Sequence, residues 1–458
     1  MRTQLNGDLA VNNQMKIIIA GAGEVGTHLA KLLSRESFDT TLLDEDPDKL
    51  ADLEMNYDLL TRVGSPTSIE ALKNNGVADA DLFIAVTPYE SVNMTACMLA
   101  TNLGAEKTLA RIENFEYLQP DNREFFKSLG VDYLIFPENL AAKEIIESLH
   151  YPWLRQTLSF HNEALVLLAI KVRENAVLLN KKFNTGYFEH GRYRVVAINR
   201  KSQTIIPSGN DEILANDIVY FVTMKENIEF VREQAGKKDF QVKNVMIMGG
   251  GRIAQKTVKY LPENMNVKIL ERDKERCYQL AECVSRALII NADGRNVEAL
   301  RAEGIEDIDA FVATTANSEA NILACLEAKR LGVKKTVAEV ENIDYIQLAE
   351  ELDIGTVINK KLIAASYIYQ LTLDADVLDV RSLSSADAVV IEFVAKPRSK
   401  ITKAEIKDIR LPDDVNIGGI IREGKGIIAY GNTHIQPGDH VIVFCSATKV
   451  RKVEALFN

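Results

Sequence analysis

The sequence predicts an α/β protein of two Rossmann-like, doubly wound parallel-sheet domains, each followed by a small α+β domain. Three observations carry that expectation. The stretch MKIIIAGAGEVGTHLAKLL from Met15 returns later as KNVMIMGGGRIAQKTVKYL from Lys243, and both read as strand, glycine loop and helix. Subtracting 21 from 249 gives an offset of 228 between the first glycines. The same shift carries EALKNNGVADADLFIAVT, from Glu70, onto EALRAEGIEDIDAFVATT, from Glu298. Finally, short β-branched runs alternate with helical periodicity in both copies, the pattern of parallel strands joined by crossover helices.

In the first copy the strands are expected near Lys16 to Ala20, Thr40 to Asp44, Leu59 to Val63, Leu82 to Val86, Thr108 to Ile112 and Tyr133 to Phe136. In the second they begin near Val245, Val267, Ala287, Ala310, Thr336 and Thr356. Further pairs keep the offset, including Asn93 with Asn321, Cys97 with Cys325, Gly104 with Gly332, and ARIENFEY from Ala110 with AEVENIDY from Ala338. Self-similarity of this extent is a duplicated architecture. The intervening stretches show more strand alternation and turn residues. IIPSGNDEILANDIVYFV, from Ile205, shifts by 222 residues onto IIAYGNTHIQPGDHVIVF, from Ile427, pairing Gly209 with Gly431 and Asp217 with Asp439. These four residues fit hairpin turns. The expected boundaries are 15–151 and 242–375 for the parallel-sheet domains and 152–234 and 376–458 for the small ones. Residues 1–14 are expected to be a disordered extension, with Met15 as an alternative start.

Composition narrows the function. Against 54 Lys and Arg stand 65 Asp and Glu, a formal charge of -11, which argues against a sequence-independent grip on nucleic acid or anionic lipid. The longest apolar runs, such as ALVLLAI from Ala164, are far shorter than the roughly 20 residues of a membrane span. Nor does the start carry the apolar core of a signal peptide. Five cysteines without paired spacing suit a reducing compartment, so a cytoplasmic location is expected.

The chemistry sits in the glycine loops. In GAGEVG, Gly21 permits the tight turn, Gly23 lets backbone approach a pyrophosphate, and Gly26 lets helix pack on sheet, so Gly21, Ala22, Gly23, Glu24, Val25 and Gly26 are candidate cofactor-binding residues. The helix start supplies unpaired N–H groups and a positive dipole end. Asp44, 21 residues after Gly23, ends the second strand where a carboxylate accepts both hydroxyls of an adenosine ribose and repels a 2′-phosphate. NAD or NADH is therefore favoured over NADP, while ATP and ADP, which carry the same ribose, stay open. The second loop supplies Gly249, Gly250, Gly251, Arg252 and Ile253, with Ala254 at the third glycine position and Glu271 as the acid. Thr87, Pro88 and Thr315 follow the fourth strand of their copies, beside the crevice where strand order reverses. Arg111 follows the fifth strand and can pair with a phosphate. Its counterpart is Glu339, so a phosphate-rich ligand is expected to prefer the first site, leaving the second weak, selective or empty.

No catalytic group accompanies these loops. The histidines His28, His150, His161, His190, His434 and His440 show no paired spacing, and no metal site is expected. Cys97 and Cys325 are expected to be small buried residues, and Cys277 and Cys283 do not form a chelate. Two alternatives to a regulatory role are an NAD-dependent oxidoreductase with a duplicated cofactor domain and a sensor acting on something other than a transporter.

Together the two glycine loops, Asp44 and Glu271, the segments AVTPYESVNM and ATTANSEANI, ARIEN, and the paired endings GNDEILANDIVYF and GNTHIQPGDHVIVF make the chain resemble the TrkA family. This family comprises the peripheral nucleotide-binding regulatory subunits of Trk-type bacterial potassium uptake systems. The likeness extends over nearly the whole sequence. It implies RCK N-terminal (TrkA-N) and C-terminal (TrkA-C) domains, each present twice, and a protein that is not an enzyme. It also implies assembly as a homo-tetramer or ring on the inner face of the cell membrane. The implied partner is a membrane-embedded Trk potassium transporter subunit of the TrkH type, regulated through NAD(H) or ATP/ADP. Ser91, where the family's Asp-Glu pair puts its acid, and Glu339 depart from the family pattern and imply unequal ligand use by the two halves.

Overall fold

The computed structural model describes residues 15–34, 38–57, 59–188, 191–373, 377–383, 386 and 388–458. The expected extension 1–14 and His190 lie outside the described residues. The chain divides into two compact units, one ending at Phe136 and the other beginning at Pro137.

The first unit is one sheet of six parallel strands: β1 (Lys16–Ala20), β2 (Asp39–Asp44), β3 (Leu60–Val63), β4 (Leu82–Ala85), β5 (Lys107–Arg111) and β6 (Tyr133–Ile135). Their spatial order is β3-β2-β1-β4-β5-β6, so the order reverses between β1 and β4. Crossover helices cover both faces, which is why the strands read as unbroken apolar runs. Ile17, Ile18, Ile19 and Ala20 are each fully buried. The helix Glu24–Ser34 keeps Val25, Leu29, Ala30 and Leu33 against the sheet at helical spacing. The helix Ile69–Asn74 starts where the Ser68 hydroxyl accepts the Ala71 amide at 3.2 Å.

In the second unit the helix Pro137–His150 comes first and packs against the helices Arg252–Tyr260 and Lys360–Gln370, its Asn139 accepting a hydrogen bond from Tyr260 Oη at 2.7 Å. Next come β7 (Gln156–Phe160), β8 (Leu165–Lys171), β9 (Tyr193–Arg200), β10 (Gln203–Ile205) and β11 (Ile218–Thr223), an antiparallel sheet in the order β10-β9-β11-β8-β7. The second parallel sheet follows with β12 (Asn244–Met248), β13 (Asn266–Glu271), β14 (Ala287–Asn291), β15 (Ala310–Ala313), β16 (Lys335–Glu339) and β17 (Thr356–Ile358). Its order, β14-β13-β12-β15-β16-β17, repeats that of the first. Last come β18 (Val377–Ser382), β19 (Val389–Val394), β20 (Val415–Arg422), β21 (Lys425–Ile428) and β22 (His440–Cys445), ordered β18-β19-β22-β20-β21.

The two antiparallel sheets share one core. Leu158, Phe160 and Leu165 from the first meet Ile442 and Phe444 from the second, each at most 4% exposed. Each such side chain contributes about 1.5–3 kcal/mol by leaving water. The contact is self-complementary at the offset of 222. Arg194 Nη2 donates to Asn416 Oδ1 at 3.1 Å, and Val196 faces Gly418, where a Cβ would lie 3.0 Å from Val196 Cγ1 and 2.7 Å from Val222 Cγ2. Equivalent residues touching across a local two-fold is the geometry of an isologous dimer, built here within one chain. Asp217 and Asp439, expected as turn residues, are 2% exposed and each takes a bidentate guanidinium, from Arg200 and Arg422 respectively.

Candidate functional site

Each parallel sheet opens a crevice at the carboxyl ends of its strands, where the order reverses. In the first, Gly21 donates its amide to Leu43 O at 2.8 Å and turns with φ +110, and a Cβ there would stand 2.9 Å from the Thr87 amide nitrogen. Only glycine fits this turn without strain. A Cβ on Gly26, expected to ease the packing of helix on sheet, would fall 1.9 Å from Gly21 O in the loop and 3.3 Å from Val86 Cγ2 beyond the fourth strand. Gly23 has no heavy atom within 4 Å of its Cβ position, so its backbone is approachable from outside. Glu24 is exposed at the helix start, whereas the Val25 side chain is 6% exposed and faces the core, leaving only its amide to the loop.

Asp44 is held by backbone. Its Oδ2 accepts the Ala22 amide at 2.6 Å and its Oδ1 the Asp46 amide at 2.9 Å, which fixes the carboxylate beside the loop. Across the crevice, fully buried Asn93 clips two strand ends together. Its Oδ1 accepts from the Thr87 amide at 2.9 Å and hydroxyl at 2.7 Å, while its Nδ2 donates to Thr87 O at 3.0 Å and Arg111 O at 2.9 Å. Pro88 is exposed in the same turn. Glu90 Oε2 accepts the amides of Glu113 and Asn114 at 2.6 and 2.7 Å, fastening the segment after Arg111.

The second crevice repeats the plan with substitutions. Gly249, at φ +96, donates to Leu270 O at 2.9 Å. Glu271 Oε2 accepts the Gly250 amide at 2.9 Å and Oε1 the Asp273 amide at 3.0 Å. A Cβ on Gly250 would lie 2.1 Å from Leu280 Cδ1, so an alanine like Ala22 would fit here only with a shift of that leucine's end. The helix Arg252–Tyr260 begins directly after Gly251, and the Ile253 side chain, 4% exposed, again faces the core. Asn321 repeats the clip of Asn93, reaching Thr315 and the Glu339 carbonyl, the latter at 2.8 Å. Ser318 takes the place of Glu90, its hydroxyl accepting the Glu341 and Asn342 amides at 3.0 and 3.3 Å.

This crevice has a cavity volume of about 620 Å³ and opens to solvent. Its lining sets Arg252, Arg272, Arg276, Arg295 and Lys360 against Glu138, Glu271, Asp293, Glu339 and Glu341. Of the cations, the sequence pointed only to Arg252. Arg272, Arg276 and Arg295 sit on or near surface turns with no periodicity to mark them, and Glu138 comes from a helix distant in sequence. Glu339 is 3% exposed, 3.4 Å from Lys360, which also pairs with Glu341. Burial pushes the Glu339 carboxyl up to about 7, against the pull of Lys360. No histidine, tyrosine or cysteine is among the described lining residues. Cys97 and Cys325 are fully buried and burial raises both thiols, that of Cys325 to about 12, which suits packing and not nucleophilic work. No helix among the described residues is long and apolar enough to cross a membrane.

Comparison with known proteins follows the same division. The TrkA-N domain family matches residues 17–137 and 245–360, and the TrkA-C domain family residues 167–236 and 390–458. The chain is 35% identical over 451 residues to the Trk system potassium uptake protein TrkA of Haemophilus influenzae, covering 97% of this chain and 98% of that protein. It is 34% identical over 452 residues to its namesake of Vibrio alginolyticus, with the same coverage. A third relative, TrkA homolog 1 of Methanosarcina mazei, is 31% identical over 454 residues, covering 97% of this chain and all of that one. Among solved structures, the GsuK RCK domain aligns with a TM-score of 0.60 at 14% identity, covering 99% of this chain and 98% of that one. The GsuK channel bound to NAD aligns with a TM-score of 0.61 at 15% identity, covering 98% and 80%. These two share the fold.

Proposed function

The chain belongs to the TrkA family of Trk system potassium uptake proteins, with TrkA-N and TrkA-C domains each present twice, and from that premise we propose that it is a nucleotide-sensing regulatory subunit. Its ligands are NAD(H) or ATP/ADP, and its partner is a membrane-embedded Trk potassium transporter subunit. One observation carries the reading: in both crevices a carboxylate is locked by two backbone amides beside a glycine loop and a helix start. A carboxylate so held needs no reorganisation to accept ribose hydroxyls, and the amides from Gly23 and Gly251 onward offer the diphosphate its donors.

Regulation then follows from unequal binding. Nucleotide in a crevice touches the loop after the first strand and the Thr87 or Thr315 turn after the fourth, so it favours whichever arrangement brings these closest together. A ligand shifts such an equilibrium only by its difference in affinity for the two arrangements, commonly about 1–3 kcal/mol. In this reading the chain sits as a ring on the inner face of the membrane, and the ring carries the shift to the pore.

Mass spectrometry of nucleotide retained by the purified chain, followed by calorimetric titration and potassium flux through vesicles holding the membrane partner, tests the proposal. Retained NAD or ADP, and flux that changes with it, are expected. Flux indifferent to every adenine nucleotide, or steady oxidation of NADH at 340 nm with a carbonyl acceptor, would overturn it.

A further inference from the structure

A group of side chains of metal-ligating type, His161, Glu392 and His440, lies outside both crevices, where the two antiparallel sheets of the second unit meet. Glu392 and His440 come from neighbouring strands β19 and β22, in which Val394 pairs with His440 and Glu392 with Ile442, so the two side chains share one face. His440 Nδ1 stands 2.8 Å from Glu392 Oε1. The third member, His161, reaches them from the turn between β7 and β8, and its ring crosses that of His440 edge-on at 4.6 Å between centroids. One ligand atom from each of the three lies within 4.8 Å of the others.

Two features make this more than a buried ion pair. The local two-fold places Ile218 where His440 stands, each opening its strand, and Ala169 where Glu392 stands, each opposite the third residue of that strand. The first sheet thus buries apolar side chains where the second buries a carboxylate, 4% exposed, beside an imidazole. Such a substitution is destabilising unless the charge is compensated. Among the described residues His440 is the hydrogen-bond partner of that carboxylate, and the arrangement also brings up a second imidazole. The turn that delivers His161 runs through three successive non-glycine residues at positive φ, His161, Asn162 and Glu163. A conformation of that kind persists only when its surroundings enforce it.

We propose that His161, Glu392 and His440 form a binding site for a first-row divalent transition metal of the zinc class, tying the hairpin of the first C-terminal sheet to the face of the second. Two imidazoles and a carboxylate select this class over calcium or magnesium, which take oxygen ligands. Zinc–ligand bonds of about 2.0–2.2 Å set tetrahedral ligands about 3.3 Å apart, so the Glu392–His440 separation needs little opening. Rotation of the exposed His161 ring closes the remainder. Water completes the fourth position. The proton on His440 Nδ1 passes by way of solvent to Nε2 as the metal takes its place, so the imidazole ligates as the neutral Nε2–H tautomer and the Glu392 carboxylate turns from proton acceptor to metal ligand. The cation thereby becomes a second effector, acting on the C-terminal pair independently of any nucleotide.

The full-length chain, stripped with chelator and freed of nucleotide, is titrated with ZnCl2 by calorimetry and with CoCl2 by visible absorption. One strong site per chain is expected, with a cobalt band typical of nitrogen–oxygen tetrahedral ligation and a rise in melting temperature. His161→Asn keeps a residue tolerant of positive φ and removes the imidazole. It should weaken zinc about 100-fold, abolish the cobalt band and leave the circular dichroism unchanged. His440→Gln should do the same. Equal zinc affinity in the native chain and in His161→Asn would overturn the proposal, as would the absence of any site tighter than millimolar.

Discussion

Replacing Asp44 by asparagine tests the first crevice most directly, because the structure fixes what both carboxylate oxygens do. Oδ2 accepts from the Ala22 amide at 2.6 Å and Oδ1 from the Asp46 amide at 2.9 Å. Asparagine has one accepting oxygen, so in either orientation its NH2 group faces one of those donors. The orphaned amide costs about 1–3 kcal/mol of stability. Binding suffers separately. Bonds from ribose hydroxyls to a carboxylate, worth about 1.5–3 kcal/mol each, become neutral ones near 1 kcal/mol. The loss over two hydroxyls is about 2 kcal/mol, or roughly 30-fold in Kd. Calorimetric titration of NADH into nucleotide-free full-length protein should show one class of sites weakened by that factor and the other untouched. NADPH should gain relative to NADH in the variant, because the charge that repels the 2′-phosphate has gone. An unaltered NADH isotherm, or NADPH still excluded to the same degree, would show that Asp44 does not meet the ribose.

Other expectations follow from contacts of the same kind. Glu339, held near pH 7 by burial, binds a proton more tightly folded than unfolded, so the stability this proton confers is full below about pH 4.3 and is lost as pH rises through 7. Protonation also removes a negative charge from a lining shared with Glu138, Glu341 and Lys360. NADH affinity of the second crevice should therefore rise from pH 8 to pH 6, and in Glu339→Gln that dependence should vanish from the calorimetric Kd. Gly26→Ala drives a methyl to 1.9 Å from Gly21 O and should cost about 1–3 kcal/mol in urea unfolding, although alanine stands at the equivalent Ala254. Asp353 gathers Arg155, Lys171, Arg173 and Lys329, which hold its carboxyl well below the ordinary range. Its contribution is present above about pH 3.9 and lost only as pH falls through the depressed value. Asp353→Asn should therefore cost about 1–3 kcal/mol at pH 7, discounted for partial exposure, and added salt should recover part of it in thermal melts.

Much of this was legible in the sequence, for a physical reason. Parallel strands covered on both faces must be apolar throughout, so their positions show as runs. The expected second strand, Thr40 to Asp44, became Asp39–Asp44, and the expected fifth, Thr108 to Ile112, became Lys107–Arg111. The glycine at Gly21 was legible because only one residue type tolerates its φ of +110. What escaped depends on contacts between distant segments. Glu138 at the rim of the second crevice, three of the four cations on Asp353, and the meeting of His161 with His440 have no local pattern, since nothing in the neighbouring residues encodes a partner 180 to 279 positions away. Asn93 and Asn321 were visible only as a repeated pair. Their task, clipping the fourth strand to the fifth, emerges from the fold.

The duplication also explains why the two crevices diverge without losing their shape. At equivalent positions the same backbone amides are satisfied by different chemistry: a carboxylate at Glu90 and a hydroxyl at Ser318 each fasten the segment after the fifth strand. Because the amides need only an acceptor, charge is free to vary there while geometry holds. The same freedom separates Arg111 from Glu339, whose backbone carbonyls accept from Asn93 and Asn321 at 2.9 and 2.8 Å while their side chains carry opposite charge. Structure is thus fixed through the main chain, and in the proposed reading ligand preference is set through the side chains. Exchanging the two side chains, Arg111→Glu with Glu339→Arg, should for that reason exchange phosphate preference between the crevices more readily than it disturbs either sheet.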